Sequence, residues 1–175
     1  MSPSEFSRLQ AIDALGEAPR RLDLAADEGE RAALARRFGL LAIDRLAATL
    51  TLRRSDAEVI AEGALDAAVV QACVATGEPV PAGLRAPFEI RFRPAPDAAA
   101  PGEEVELGET DMDVMFYHDG AIDVGEAVAQ TLLLNLDPYP RAPGADATLK
   151  ATGVKSEGEA GPFGALASLR DKLKP

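Results

Sequence analysis

Few residues of the 175-residue chain combine types and spacing that could perform chemistry. His118 is the only histidine, and the Asp119 and Gly120 that follow it are typical of a turn. A histidine beside a carboxylate could carry a proton or respond to pH. The chain has no Gly-x-Ser-x-Gly, Walker or Gly-x-Gly-x-x-Gly motif. Nucleophilic catalysis and nucleotide binding therefore have no support, and an enzyme that uses His118 and nearby carboxylates is only a remote alternative.

Metal ligands are equally sparse. Cys73 is the only cysteine, so a zinc site would lack the usual four Cys and His ligands. The carboxylates between residues 103 and 113 could bind Mg²⁺ or Ca²⁺, but their spacing does not match an EF-hand loop. We predict that the chain binds no metal and no other cofactor, and we interpret Cys73 as a buried, inert thiol.

Charge is distributed unevenly along the chain, whose net charge is −11. Residues 1–54 carry +1, residues 55–149 carry −14 and residues 150–175 carry +2. An acidic domain of this kind repels phosphates and attracts basic partners, although acidity can also simply keep a protein in solution. The charge pattern therefore favours a basic protein partner over bare nucleic acid.

Arginines offer an alternative kind of partner. Arg85, Arg91 and Arg93 share the outward face of one predicted strand and could contact structured RNA. Aromatic residues that could stack on bases are not interleaved with them. Direct RNA binding is therefore the alternative rather than the preferred hypothesis.

Two helices are predicted from their capping residues. Asp27 and Glu30 have the spacing of a capping box, and Gly39 is a typical helix stop, which together predict a helix over 28–38. Asp123 and Glu126 repeat this spacing ahead of a leucine-rich run and predict a helix over 123–136.

Strands are predicted where apolar and polar residues alternate. Modest strands are expected within 5–13 and at 20–25, and Gly63 suggests a bulge or bend in a longer one. The short turns between strands predict one antiparallel meander of five or more strands, and so a single-domain α+β fold. The clearest alternation occurs at 46–53, 59–69, 84–92 and 112–116.

Composition divides the chain into three parts. We expect an α+β domain at 1–140, a flexible linker at 141–161 and a short amphipathic helix at 162–175. The last segment is the predicted partner-binding element. Its apolar residues at near-helical spacing are Phe163, Leu166, Leu169 and Leu173.

Several runs occur in the order found in a known family. They are Cys73-Val-Ala-Thr-Gly-Glu78-Pro79-Val80, Phe88-Glu-Ile-Arg-Phe92, Ile122-Asp123-Val-Gly-Glu126, Leu132-Leu-Leu-Asn-Leu-Asp-Pro138 and Gly161-Pro-Phe-Gly-Ala-Leu166. Together they resemble the YceD family, the large ribosomal RNA subunit accumulation proteins. Its motif residues correspond here to Cys73, Glu78, Pro79, Asp123 and Glu126.

The resemblance implies a bacterial, non-enzymatic ribosome-biogenesis factor needed for accumulation of large-subunit rRNA. A basic ribosomal protein or assembly factor is the preferred partner, and ribosomal RNA is the alternative. Thr76 stands where relatives often have a second cysteine, so a paired-thiol metal site does not carry over. The start of the sequence resembles no signal peptide and no apolar run approaches about 20 residues, so we expect a cytoplasmic protein without membrane or small-molecule partners.

Overall fold

The structure, a computed structural model, describes residues 4–16, 18–95 and 114–154. Helices and strands follow one another as the α+β prediction requires. The strands are β1 Leu9–Ala11, β2 Arg20–Ala25, β3 Ala42–Ser55, β4 Glu58–Ala72, β5 Pro79–Pro94, β6 Val114–Tyr117 and β7 Ala121–Asp123. The helices are a 3₁₀ turn at Ile12–Ala14, α1 Glu28–Phe38, α2 Val124–Leu134 and α3 Ala145–Ala151.

The strands form two sheets rather than one. Five of them lie in the order β2-β3-β4-β5-β6, while β1 pairs with β7 in a separate antiparallel ribbon. The prediction of a single antiparallel sheet is therefore wrong in two respects, because β6 also runs parallel to β5. Long-range pairings of this kind leave no local signal in the sequence.

The β3–β4 hairpin runs nearly the whole length of both strands. Its register shifts between Ile43 and Arg45, so both Ile43 and Leu46 are buried although three positions separate them. No bulge occurs at Gly63 on the β3 side of the strand, because Gly63 pairs with Leu50 in an unbroken register, and a bend there stays a prediction. Gly63 instead marks a close backbone approach: a Cβ there would lie 2.3 Å from the Thr49 carbonyl oxygen.

Helix α1 begins and ends where the sequence predicts. The Asp27 side chain accepts a hydrogen bond from the Glu30 N–H at 2.8 Å, and the Glu30 side chain accepts one from the Asp27 N–H at 2.9 Å. Gly39 ends the helix in the left-handed conformation with φ 67°.

Both helices contribute to one hydrophobic core. Leu34 of α1 and Leu132 of α2 are fully buried in the same cluster as side chains of the sheet. Phe6, from the N-terminal segment, is fully buried there as well. Leu133 and Leu134 face away from it and are exposed, so the apolar face of α2 is narrower than its leucine content suggests.

The described residues belong to two compact units. The first takes in Met1–Gln71 and Pro81–Pro138 where they are described, and the second Ala72–Val80 and Tyr139–Pro175. The single-domain prediction is not confirmed. The flexible linker predicted at 141–161 is not confirmed either, because α3 forms within it. No helix of the described chain is long and apolar enough to cross a membrane.

Candidate functional sites

The exposed face of the main sheet carries the three arginines of the RNA hypothesis. Arg85, Arg91 and Arg93 lie at alternate positions of β5, as predicted. Each of them forms an ion pair. Arg85 contacts Asp66 at 3.0 Å, Arg91 contacts Glu89 at 3.1 Å and Arg93 contacts Glu58 at 2.7 Å. Asp66 and Glu58 both lie in β4. The earlier arginine, Arg85, contacts the later β4 residue, and Arg93 contacts the earlier one, as expected for antiparallel neighbours.

Two further ion pairs extend this surface across the sheet. Arg45 also contacts Asp66, and Arg53 contacts Glu62 at 3.3 Å. Exposed pairs of this kind contribute only about 0–1 kcal/mol each, so an RNA phosphate could displace a carboxylate. The displaced carboxylates would nevertheless stay nearby and repel the phosphate. We call these nine residues the ion-paired sheet face: Arg45, Arg53, Glu58, Glu62, Asp66, Arg85, Glu89, Arg91 and Arg93.

The first turn of α2 is a second site, which contains two of the family-motif residues. Asp123 Oδ1 accepts hydrogen bonds from the N–H groups of Gly125 and Glu126, at 3.1 and 3.2 Å. The same carboxylate accepts the Arg8 N–H at 2.8 Å and the Ser7 hydroxyl at 2.6 Å. One side chain therefore caps the helix and anchors the N-terminal segment.

Glu126 lies one turn further along and binds Arg37 of α1. The guanidinium donates two hydrogen bonds to the carboxylate, at 2.9 and 2.6 Å, and Ser4 Oγ donates a third at 2.5 Å. The Arg37 hydrogen bonds hold the pKa of Glu126 at about 2, and the same contact raises the pKa of Arg37. The predicted capping box of α2 is therefore incomplete, because the Glu126 side chain turns to Arg37 rather than to its own helix end.

A second arginine bridge holds the same segment to α1. Arg8 donates to both carboxylate oxygens of Glu30, at 2.7 and 2.9 Å. These hydrogen bonds lower the pKa of Glu30. The N-terminal segment thus lies between the first turns of α1 and α2. Because their polar atoms are engaged within the fold, Asp123 and Glu126 fit a structural role better than a binding role.

Cys73 begins a tight loop that contains the other family-motif residues. Its N–H donates to the Glu78 carbonyl at 2.8 Å, and its carbonyl accepts the Gly77 N–H at 2.8 Å. Gly77 has φ 74°, which explains the glycine at this position. Pro79 follows as the first residue of β5. The loop is therefore a turn closed on its own backbone.

The thiol of Cys73 is buried, as predicted. Its sulfur accepts the Ala142 N–H at 3.3 Å, and this contact, followed by the Thr76 hydroxyl, lowers the pKa of Cys73 to about 7. Within the described ranges, no three His, Cys, Asp or Glu side chains are grouped so that they could hold a metal ion. Absence of zinc stays a prediction.

His118 occupies the turn that the sequence predicts. Asp119 and Gly120 have φ 56° and 67°, and His118 forms an isolated antiparallel bridge with Ala121. The pair of left-handed residues reverses the chain between β6 and β7. Phe163, Leu166, Leu169 and Leu173, and the carboxylates at 103–113, lie outside the described residues.

Sequence reasoning found Glu126 but not its partner Arg37. The two residues are 89 positions apart, and nothing around Arg37 distinguishes it from its neighbour Arg36. A pairing of this kind becomes visible only once α1 and α2 are placed.

Comparison with known families decides where the chain belongs. Residues 61–170, more than half of its length, match the family model described as "Large ribosomal RNA subunit accumulation protein YceD". The chain belongs to the YceD family. No curated protein and no solved structure matches it. The YceD match includes both the Cys73 loop and the first turn of α2, while β1, β2, α1 and β3 precede it.

Proposed function

We propose that this YceD-family chain is a non-enzymatic ribosome-biogenesis factor that supports large-subunit rRNA accumulation by binding a basic ribosomal protein or assembly factor. The family name implies the rRNA role. The proposed mode of action rests on one observation. Residues 55–149 carry a net charge of −14, and the three arginines on the outward face of β5, Arg85, Arg91 and Arg93, all form ion pairs with carboxylates. Such a surface offers phosphates little free positive charge.

The remaining acidic charge supports a protein partner. Within residues 97–126 there are ten carboxylates and no lysine or arginine. Asp123 and Glu126 are engaged within the fold, which leaves eight of the ten. Carboxylates with no basic residue among them in the sequence attract a basic protein over distances near the Debye length, about 8 Å at physiological salt. Long-range attraction followed by short-range contacts is how charged partners select each other.

A role without catalysis is part of the proposal. His118 directly precedes the two-residue turn of Asp119 and Gly120, and the hydrogen bonds of Asp123 and Glu126 tie segments of the fold together. Neither arrangement places a nucleophile beside a general base. We place the protein in the cytoplasm, where ribosomes are assembled in bacteria, and propose the C-terminal segment 162–175 as a further partner contact.

The test is recovery of partners by the tagged full-length chain, with and without ribonuclease. We expect a basic ribosomal protein or assembly factor that survives ribonuclease and is released as salt increases from about 0.05 to 0.5 M. Replacing Glu103, Glu104, Glu106 and Glu109 with Gln should reduce recovery.

The matched variant replaces Arg85, Arg91 and Arg93 with Gln. It should leave protein recovery unchanged. If ribonuclease abolishes recovery, or if the arginine variant does so while circular dichroism shows a folded chain, direct RNA binding replaces the proposal.

A further inference from the structure

Strand β2 forms one edge of the main sheet. It pairs with β3 over six positions, from Arg20 opposite Leu52 to Ala25 opposite Ala47. Among the described residues no second strand pairs with its other side. An edge strand leaves alternate N–H and C=O groups without strand partners, and a further strand can hydrogen-bond to them. The outer side of β2 is therefore a candidate surface for pairing with another chain.

The hydrogen bond just beyond β2 indicates which backbone groups of the strand point outward. The Ala26 N–H donates to the Leu46 carbonyl at 3.0 Å and continues the register of the two strands. In an antiparallel pair, hydrogen-bonded positions alternate with positions that are not bonded. The backbone groups of Leu22 therefore point to β3, whereas those of Arg21 and Asp23 point outward.

The free part of this edge is short. The Ala25 carbonyl points outward by the same alternation, and it accepts a hydrogen bond from the Arg8 guanidinium at 3.3 Å. At the other end, Pro19 has no N–H to donate. A further strand would thus find its hydrogen-bonding groups at Arg21 and Asp23, and it would lie along residues 20–24.

Side chains of the edge divide between two faces. Leu22 and Leu24 are partly buried and pack against the core. Arg21 and Asp23 alternate with them and lie on the opposite face, where their side chains are 72% and 70% exposed. Within one chain 3.8 Å separates Arg21 Nη2 from Asp23 Oδ1. The exposed face of the edge therefore carries one charge of each sign, two positions apart.

Antiparallel pairing with a second copy of β2 satisfies these charges in one register. Centred on Leu22, it places Arg21 opposite Asp23 of the second copy, and the two-fold axis repeats the pair. Centred on Arg21 or on Asp23, it places like charges directly opposite, which destabilises a sheet. Centring between two residues would bring outward backbone groups opposite groups that already bond β3. The charges of β2 are thus complementary to themselves in the first register.

Charge elsewhere in the chain affects how closely two copies can approach. Each copy carries a net charge of −11. Residues 55–149 carry −14, whereas residues 1–54, which include β2, carry +1. Exposed charges separated by more than the Debye length, about 8 Å at physiological salt, are largely screened. Pairing through β2 therefore joins two copies by the nearly neutral part of their sequence.

We propose that the chain forms a two-fold dimer in which β2 pairs antiparallel with β2 of a second copy, centred on Leu22. Arg21 exchanges both backbone hydrogen bonds with Asp23 of the second copy, and the two side chains form an ion pair. Leu22 packs on its counterpart and extends the apolar face of the sheet from one copy to the next. The same surface serves both copies, as two-fold dimers require. The inference does not depend on the proposed function.

The test is sedimentation velocity of the full-length chain from about 1 to 300 µM, a range suited to the weak association of a small interface. Arg21→Asp and Asp23→Arg each place like charges opposite one another, and the variant that combines them restores unlike charges. The matched control is Glu62→Arg, which reverses a 57% exposed carboxylate on the interior strand β4. Circular dichroism and thermal melting establish that each variant folds.

Cysteine variants report the register separately from charge. The Cα atoms of Leu22 and its counterpart would be about 4.5 Å apart, a spacing that a disulfide can bridge. Leu22→Cys should therefore form a disulfide-linked dimer on mild oxidation. Asp23→Cys should not, because position 23 of the two copies would be about 7–8 Å apart. Wild type, whose buried Cys73 is the only thiol, is the control.

We expect a wild-type dimer whose dissociation constant rises at least tenfold in each single charge variant and returns to within threefold of wild type in the combined variant. Glu62→Arg should stay within twofold. A wild-type chain that is monomeric throughout, or a dimer that Asp23→Arg leaves unchanged, would overturn the proposal and leave this edge to another segment or another protein. Failure of the combined variant to restore the dimer, or a disulfide through position 23 rather than 22, would overturn the register and the proposal with it.

Discussion

Arg37 and Glu126 join the end of α1 to the first turn of α2 by two hydrogen bonds, although 89 residues separate them in sequence. The Glu126 side chain is 17% exposed, so solvent screens this pair less than those of the sheet face. Ser4 completes the arrangement by bringing the N-terminal segment to the same carboxylate. This contact therefore connects three separate parts of the fold.

Replacing Glu126 with Gln should destabilise the protein. The amide keeps the shape but removes the charge that Arg37 binds, and charge-assisted hydrogen bonds contribute about 1.5–3 kcal/mol. Urea unfolding at pH 7 should show a loss of about 1–3 kcal/mol. The control is Glu62→Gln, in a pair whose side chains are 59% and 57% exposed, for which we expect a change within about 0.5 kcal/mol. Similar losses of unfolding free energy in the two variants would mean that the Arg37–Glu126 contact stabilises the fold no more than an exposed ion pair does.

The same contact should make stability depend on pH. The pKa of Glu126 is lowered from 4.5 to about 2, so its contribution is present above the unfolded value and is lost as pH falls through the folded value. The difference in unfolding free energy between wild type and Glu126→Gln should shrink between about pH 5 and pH 2. Urea unfolding at several pH values measures it. A constant difference would show that Arg37 does not stabilise the ionised carboxylate.

Gly63 and Gly83 should respond differently to substitution by alanine, although both lie in strands. A Cβ at Gly63 would meet the Thr49 carbonyl at 2.3 Å, while one at Gly83 would meet nothing within 4 Å. A clash with backbone cannot be relieved by side-chain rotation, so we expect Gly63→Ala to lower the melting temperature by about 5 °C or more. Gly83→Ala should stay within about 2 °C. Equal shifts would contradict the close approach of β3 and β4.

Removal of residues 160–175 should separate folding from binding. The described core clusters draw on residues between Phe6 and Ala145, and we expect the melting temperature to change by only a few degrees. Recovery of the basic partner should fall, because Phe163, Leu166, Leu169 and Leu173 are the proposed apolar contacts. An unfolded truncated chain would make the segment part of the core. Unchanged folding together with unchanged recovery would remove its proposed role.

The protein should contain no zinc. Cys73 is its only thiol, and Thr76 occupies the position where relatives often have a second cysteine. Elemental analysis of protein purified without metal-affinity chromatography should find far less than one zinc per chain. A finding of one zinc per chain would mean that the metal is held by ligands other than those of the motif and of the residues that the structure describes.

The parts of the fold that depend on neighbouring residues could be predicted from the sequence. Asp27, Glu30 and Gly39 determine the ends of α1 through hydrogen bonds between residues only three or four positions apart in sequence. The prediction of both ends is therefore confirmed. The alternation of apolar and polar residues predicts β4 and β5. It does not predict the first residues of β3, because the register shift at Asp44 interrupts the alternation there. Helix α3 was missed because Gly144 supplies no capping side chain.

What the sequence could not predict depends on distant pairing. Parallel alignment of β6 with β5, and pairing of β1 with β7, are decided by packing across the whole domain. At the candidate sites, alternation along β5 predicts which of its residues face outward. The ion pairs of Arg85 and Arg93 could not be predicted in this way, because they depend on how β4 is aligned beside β5.

The position of Ser4 opposite Glu126 has a consequence for the order of folding during synthesis. Ser4 and its partner are 122 residues apart in sequence, and Arg8 and Asp123 are 115 residues apart. At a translation rate of about 5–20 residues per second, roughly 6–24 s pass before α2 exists for the N-terminal segment to bind. Phe6, fully buried in the finished protein in a cluster that includes residues of α2, cannot complete its packing before then. The segment around Ser4 and Arg8 is thus among the last parts of the described fold to reach its final contacts.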